Sequence, residues 1–315
     1  MPTPRSQSAH PLTKVNYTDL QGRIARARGM DPAKLSDEEV FNRIARISDG
    51  YTTICQLLQT NMVFRARLND GETPYAMAPE LWYPPAEFVR RGRFNAAGET
   101  RLYVANRFHA ALYEMRPQIG DVFTILVARR REPYRDIVLA HIGMERCLAN
   151  EVAVGARAYL LRNNPLLQRV LNSHGVATKW FAIDDYLADI ATEKVAVALE
   201  HDAYKKTNAL ARILSRIPDT DGIQYPSVST RLNAVNLCLY PEKADELFKP
   251  WEAWMLRVEG RVDELRNAEP NPAGFLGIRF LSRSEPIGLD GELHWRPVGD
   301  ERHADYIFGT PVYPT

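Results

Sequence analysis

Cysteine is scarce in this chain. Its three cysteines, Cys55, Cys147 and Cys238, lie far apart in the sequence, and each has apolar neighbours. A disulfide framework or a structural zinc site uses cysteines in even sets or at short, regular spacings. The sequence therefore argues against both, and we predict three reduced thiols that pack in the core. We expect no metal site.

An excess of charge of one sign is also missing. Forty Lys and Arg residues against 39 Asp and Glu residues give a formal net charge of +1, so the overall field predicts neither a nucleic acid nor a membrane as a partner. No apolar run is long enough to span a bilayer. Residues 1–10 lack the apolar core of a secretory signal. We expect a cytoplasmic protein.

The hydrophobic pattern predicts where the helices and strands lie. Ser36-Asp37-Glu38-Glu39 is typical of a capping box, and apolar residues follow it at helical spacing. We predict that this helix breaks near Gly50 and resumes through Ile54, Leu57 and Leu58. Alternation or apolar runs predict strands, and a short helix is predicted at 108–115. The predicted strands are 63–68, 101–105, 122–128, 222–228 and 235–240, with further alternation after Trp251.

Helical patterns are concentrated in the middle of the chain, and strands lie on both sides of them. This order favours an α+β fold over a doubly wound parallel sheet. We assign residues 1–60 to an N-terminal tail and helical extension. Residues 61–315 form a second unit, with a helical insertion at about 153–217 that we expect to pack beside the strands.

Three short motifs carry the chemistry: GRFN at 92–95, LYVA at 102–105 and AALYE at 110–114. They contribute an arginine, a tyrosine and a glutamate, spaced about ten residues apart. A guanidinium binds phosphate oxygens in a bidentate manner, and a tyrosine offers an aromatic face with a polar tip. A carboxylate can stabilise positive charge that develops on a sugar. Together these groups suit a nucleotide.

Each of these residues also has a structural explanation when it is taken alone. GRFN can be a plain turn, Tyr103 a packing residue and Glu114 a solvated helix residue. Arg65 and Arg67 share one face of the strand at 63–68 because side chains alternate, so the pattern does not separate them. The functional interpretation depends on the combination of the motifs and their order.

That combination resembles the RES domain family. The resemblance rests on VFRAR at 63–67, GRFN, LYVA with AALYE, DGIQYPSV at 221–228 and NLCLY at 236–240. It implies an ADP-ribosyltransferase-like core of antiparallel strands, to which this chain adds N-terminal helices and a helical insertion. The family consists of bacterial toxins that degrade NAD, by hydrolysis or phosphorolysis, and usually pair with an Xre-type antitoxin.

The resemblance also assigns the site residues. It implies that Arg65 and Arg93 bind phosphate oxygens of NAD, and that Tyr103 packs on the nicotinamide or its ribose. Glu114 would contact the ribose and stabilise the oxocarbenium ion. Ser227 would hydrogen-bond the ribose or orient an arginine, and Asn236 matches the asparagine that opens the following strand. NAD is then the substrate, and no separate cofactor is expected.

Several partners and functions stay open at this stage. The acceptor of the ADP-ribosyl group can be water, inorganic phosphate or a macromolecule, the last making the protein an ADP-ribosyltransferase. An Xre-type antitoxin and a homodimer are the protein partners considered. The clusters Arg90-Arg91-Arg93 and Arg129-Arg130-Arg131 suggest a nucleic-acid-binding or interaction protein as a lesser alternative. An inactive relative kept for protein contacts is a further one.

Overall fold

One sheet of ten strands runs through the described part of the chain. The computed structural model describes residues 10–57, 60–144, 165–173, 175–193, 195, 199–227, 234–262 and 275–298. The α-helices are α1 (Tyr17–Arg28), α2 (Asp37–Ile47), α3 (Ala78–Leu81), α4 (Phe108–Glu114), α5 (Pro165–Asn172), α6 (Ala177–Thr192), α7 (Glu200–Leu214) and α8 (Pro241–Leu247). The strands are β1 (Ile54–Leu57), β2 (Met62–Leu68), β3 (Leu102–Ala105), β4 (Val122–Arg130), β5 (Val138–His141), β6 (Gly222–Pro226), β7 (Val235–Leu239), β8 (Phe248–Val262), β9 (Phe275–Ser284) and β10 (Trp295–Pro297).

The order of the strands across the sheet is β1-β5-β6-β7-β3-β2-β4-β8-β9-β10. Among these strands only β5 and β6 pair in parallel, and the other neighbours are antiparallel. Helices from the middle of the chain do not alternate with the strands. The predicted α+β class is therefore confirmed.

The helix predicted after Ser36 has the expected cap. Ser36 Oγ accepts a hydrogen bond from Glu39 N at 3.3 Å, and Glu39 Oε2 accepts one from Ser36 N at 2.8 Å. The apolar residues of this helix are buried because they recur on one face. They are Val40, Phe41, Ile44 and Ile47.

The predicted continuation of this helix past Gly50 is wrong. Gly50 has a φ of +76°, which turns the chain away from the helix, and Ile54–Leu57 form the strand β1 beside β5. Leu58 lies outside the described residues. The spacing of apolar residues in so short a run fits a strand as well as a helix. The strand β5 itself was not predicted. The extension is thus not entirely helical.

The thiols differ in their burial. Cys238 is 1% exposed in β7, as predicted, and burial raises its pKa to about 12. Cys55 is partly exposed in β1, because a strand at the edge of the sheet is covered less completely. Cys147 lies outside the described residues.

One of three hydrophobic cores among the described residues joins the extension, the insertion and the sheet. Helices α1, α2, α6 and α7 all contribute to it, and β5, β6 and β7 supply the face that they cover. Its central side chains include Leu20, Ile44, Trp180, Leu210 and Ile223. The predicted boundary at residue 60 therefore divides the chain into 1–60 and 61–315, and residues from both parts contribute to this core.

Two further cores cover the rest of the sheet. Helix α4 packs on β2, β3 and β4, and α3 and α8 lie against the opposite face. Every helix among the described residues is too short or too polar to cross a bilayer.

A buried carboxylate connects three segments that are distant in sequence. Asp184 of α6 is fully buried, and its Oδ1 accepts hydrogen bonds from Tyr51 Oη at 2.8 Å and from Gly143 N at 3.2 Å. The ring of Tyr51 stacks on Trp180 at a centroid distance of 5.2 Å. Burial, followed by the charge of Asp184, raises the pKa of Tyr51 well above its ordinary value. These contacts fix the insertion to the extension and to the end of β5.

The substitution Tyr51→Phe tests this connection. It keeps the stacked ring but takes one donor from a buried carboxylate, so we expect the free energy of unfolding to fall by about 1–3 kcal/mol. Urea denaturation followed by circular dichroism measures this change. The control is Tyr134→Phe at a half-exposed tyrosine, where a change within about 0.5 kcal/mol is expected. Equal losses in the two variants would contradict the role given to Tyr51.

Candidate active site

Glu114 is the last residue of α4, and two buried side chains hold its carboxylate. Its Oε1 accepts a hydrogen bond from Ser227 Oγ at 2.9 Å and another from Asn236 Nδ2 at 2.8 Å. Ser227 is fully buried and Asn236 is 4% exposed, whereas Glu114 itself is exposed. The carboxylate is therefore held from the protein interior, at a position that solvent reaches.

The strands explain why these three residues meet. Asn236 lies in β7, which pairs with β3 on one side and with β6 on the other. Ser227 directly follows β6, and its N–H donates to Ala234 O at 3.0 Å. Helix α4 begins three residues after β3, so its end lies over the neighbouring strands. Three of the predicted site residues thus form one cluster.

Tyr103 holds the GRFN turn through its hydroxyl group. The oxygen accepts a hydrogen bond from Phe94 N at 2.8 Å and donates one to Asn95 Oδ1, also at 2.8 Å. Burial is the main cause that raises the pKa of Tyr103 well above its ordinary value. The hydroxyl is therefore neutral and engaged with the protein.

The first position of the turn requires a glycine. Gly92 N donates to Asn95 O at 3.0 Å, and a Cβ atom at Gly92 would lie 2.2 Å from Asn95 Oδ1. From α7, Asn208 Nδ2 donates to Gly92 O at 2.8 Å. The turn is held from β3 on one side and from the insertion on the other.

Arg93 points from this turn to the insertion. Its Nη1 donates to Ala191 O at 2.9 Å and to Glu193 O at 3.2 Å, at the C-terminal end of α6. That end of a helix carries partial negative charge. The guanidinium also lies 5.5 Å from the centroid of the Tyr204 ring in α7. An anionic ligand at Arg93 would compete with the two carbonyl groups for Nη1.

Arg65 lies where β2 and β3 separate. These strands pair only at Phe64 and Ala105 in the described sheet, and Arg65 Nη1 donates to Tyr103 O at 3.0 Å. Its Nε is buried and has no hydrogen-bond partner among the described residues. Burial, and secondarily the charge of Arg67, lowers the pKa of Arg65 to about 10, so it remains charged at neutral pH. The structure connects it to the other site residues through the backbone of β3.

Tyr225 was not predicted as a site residue, and it lies near both the GRFN turn and Glu114. Its ring contacts that of Phe94 at a centroid distance of 4.8 Å. Burial is the main cause that raises its pKa well above the ordinary value; the charge of Glu114 raises it further and that of Arg93 lowers it. Both charges therefore lie near this phenol. The sequence offered one indication that Tyr225 belongs to the site, namely its position two residues before Ser227.

A second contact holds the insertion on the other side of Glu114. Arg116 Nη2 donates to Val195 O at 2.9 Å and to Glu200 Oε1 at 3.1 Å. Residues on both sides of the site, Arg93 and Arg116, thus bind the stretch between α6 and α7. The described helices of the insertion, α6 and α7, lie beside the strands, and residues 153–164 of the predicted insertion lie outside the described residues.

Several arginines of the two clusters that suggested nucleic acid make contacts within the chain. Arg91 forms an ion pair with Asp37 at 2.6 Å, and Arg131 Nε donates to Phe248 O at 3.0 Å. Arg129 lies over the ring of Trp251 at 5.1 Å. These three arginines are therefore each engaged by a different part of the chain, whereas Arg90 is exposed.

Comparison with known proteins gives one finding about the family. The family model described as the RES domain matches residues 62–259 of the chain, a range that contains all six predicted site residues. It begins with β2 and ends within β8, so α1, α2 and β1 lie outside it. A search of curated proteins finds no match.

The substitution Gly92→Ala tests how tightly the turn is built. The new Cβ would lie 2.2 Å from Asn95 Oδ1, which the Tyr103 hydroxyl holds in place, so we expect the free energy of unfolding to fall by about 1–3 kcal/mol. Gly260→Ala is the matched control, because a Cβ added at Gly260 would have no atom within 4 Å. Thermal and urea unfolding measure both variants. A Gly92→Ala protein as stable as the control would show that the turn is loosely held.

Proposed function

The chain belongs to the RES domain family, and on that premise we propose that it cleaves the bond between nicotinamide and ribose in NAD. The family is associated with toxin-like enzymes that use NAD. The single observation that carries the proposal is the carboxylate of Glu114, which Ser227 and Asn236 hold at an exposed position.

The cleaved bond requires little acid catalysis. Nicotinamide leaves NAD as a neutral molecule from a cationic linkage, so positive charge moves to the ribose as the bond breaks. A carboxylate of fixed orientation stabilises that charge without reorganising during the reaction. Glu114 fits this role because its two buried donors orient it before the substrate binds.

Arg65 and Arg93 are proposed to bind the pyrophosphate of NAD. The argument for Arg65 is a charged guanidinium with an unsatisfied buried Nε, since such a group gains from an anionic acceptor. Arg93 would exchange backbone carbonyls for phosphate oxygens. Tyr103 is proposed to contact the nicotinamide or the ribose through its ring, because its hydroxyl holds the turn.

After the proposed cleavage, the ADP-ribosyl group can pass to more than one acceptor. Water gives ADP-ribose, inorganic phosphate gives ADP-ribose phosphorylated at the anomeric carbon, and a macromolecule retains the ADP-ribosyl group. We propose the first two, with depletion of NAD as the toxic effect and an Xre-type antitoxin as the restraining partner. Incubation of the purified protein with NAD, with and without phosphate, followed by mass spectrometry, identifies the product.

Glu114→Gln tests the catalytic assignment. The amide keeps the volume of the side chain but removes the charge that would stabilise the transition state, so we expect the rate of nicotinamide release to fall about a hundredfold or more. Glu87→Gln is the control, because Glu87 is an exposed glutamate outside the site. Circular dichroism verifies that both variants fold. Nicotinamide release at the parent rate by Glu114→Gln would refute the assignment.

Arg65→Ala tests the proposed phosphate contact. Loss of the guanidinium should weaken binding of an unreactive NAD analogue about tenfold or more, and Arg65→Lys should restore only part of it because an ammonium group is not bidentate. Arg67→Ala is the matched control, since Arg67 lies two residues away on the same strand face. Isothermal titration calorimetry gives the three affinities. An equal loss in Arg67→Ala would contradict the choice of Arg65.

A further inference from the structure

Four arginines surround a pocket between α1 and α2, outside the part of the chain that the family model matches. The pocket has a volume of about 530 Å³, and its lining is formed by Arg23, Arg26, Ala27, Arg43, Arg46 and Ile47. On each helix the two arginines are three residues apart, which places them on one face. Both pairs therefore project into the same space.

These arginines are not neutralised by the protein. All four are exposed, and none forms an ion pair with a carboxylate in the described ranges. Arg23 Nη1 reaches Arg46 O at 3.4 Å, a contact to a backbone carbonyl. The pocket thus concentrates positive charge.

The nearby carboxylates of α2 are committed elsewhere. Asp37 pairs with Arg91 at 2.6 Å, and Glu38 pairs with Arg212 at 2.9 Å. Glu39 Oε2 accepts hydrogen bonds from Ser36 N and Ser36 Oγ, both at 2.8 Å. Asp37 and Glu38 therefore pair with arginines outside the pocket. Glu39 is bound by Ser36, and the charge of Arg43 makes a smaller contribution to the lowering of its pKa.

We propose that this pocket binds a small anion that carries a pyrophosphate group. Guanidinium groups bind phosphate oxygens bidentately, and two linked phosphoryl groups supply enough oxygens and charge to engage arginines from both helices. The lining contains Ala27 and Ile47 but no aromatic side chain. Single-stranded nucleic acids are bound along grooves with aromatic side chains for stacking, so the pocket favours a compact phosphate ligand.

Binding of such an anion should also stabilise the fold. Like charges that share a pocket repel each other, and a ligand that binds only the folded state raises its stability. The pocket lies between α1 and α2, which cover one face of the sheet, so the ligand would strengthen their packing.

The test is isothermal titration calorimetry of inorganic pyrophosphate, with inorganic phosphate as a second ligand at matched ionic strength. We expect pyrophosphate to bind the parent at least tenfold more tightly than phosphate. Arg43→Gln should weaken pyrophosphate binding about tenfold, and Arg26→Gln/Arg43→Gln about a hundredfold. Arg169→Gln, which removes an exposed arginine of α5, should leave the affinity unchanged.

The folded state of each variant is checked by its melting temperature without ligand, which should equal or exceed that of the parent because repulsion is relieved. Equal pyrophosphate affinity in the parent and the double variant would overturn the proposal, as would no measurable binding to the parent. Binding of a single-stranded oligonucleotide or an acidic peptide at this pocket, without binding of pyrophosphate, would overturn the choice of ligand. Pyrophosphate bound at Arg65 and Arg93 would be retained by the α1 and α2 variants, so only the binding that these variants lose is assigned to this pocket. Failure of the proposed function would leave that difference unchanged.

Discussion

One apolar face of the sheet, formed by β5, β6 and β7, must be covered, and two helical stretches far apart in the chain cover it together. The extension provides α1 and α2, and the insertion provides α6 and α7. The two stretches also pack on each other, because α2 contacts α7. The buried carboxylate of Asp184 fixes the same arrangement by accepting hydrogen bonds from outside the insertion. The insertion is therefore a component of the core, and its place beside the site follows from that.

The two arginines predicted to bind phosphate are held by backbone carbonyl groups. Arg65 donates to Tyr103 O, and Arg93 donates to Ala191 O and Glu193 O. A carbonyl group satisfies the donor but does not cancel the charge. Both guanidinium groups therefore keep their positive charge, which in the proposed function would be available to the pyrophosphate of NAD.

Local features of the fold could be predicted from the sequence, and contacts between distant segments could not. The capping box at Ser36 and the alternation in β2 depend on near neighbours, so the pattern identifies them. Strands β1 and β5 are four residues long each, and so short a run does not distinguish a strand from a helix. The contact of Glu114 with Ser227 spans 113 residues; periodicity does not predict it, and only the family resemblance placed both residues in one site. The engagement of Arg93 with α6 depends on how the insertion packs.

The shared core also sets the order in which the protein can assemble during synthesis. The apolar faces of α1 and α2 leave the ribosome first, and their partners in α6 and α7 follow more than a hundred residues later. Until then these faces lack the partners that cover them in the folded protein, and transiently exposed apolar surface of this kind is prone to aggregation. Asn236, which holds Glu114, is synthesised later still. Cys238 of the shared core follows Asn236 in the same strand, so β7 completes both the core and the carboxylate site.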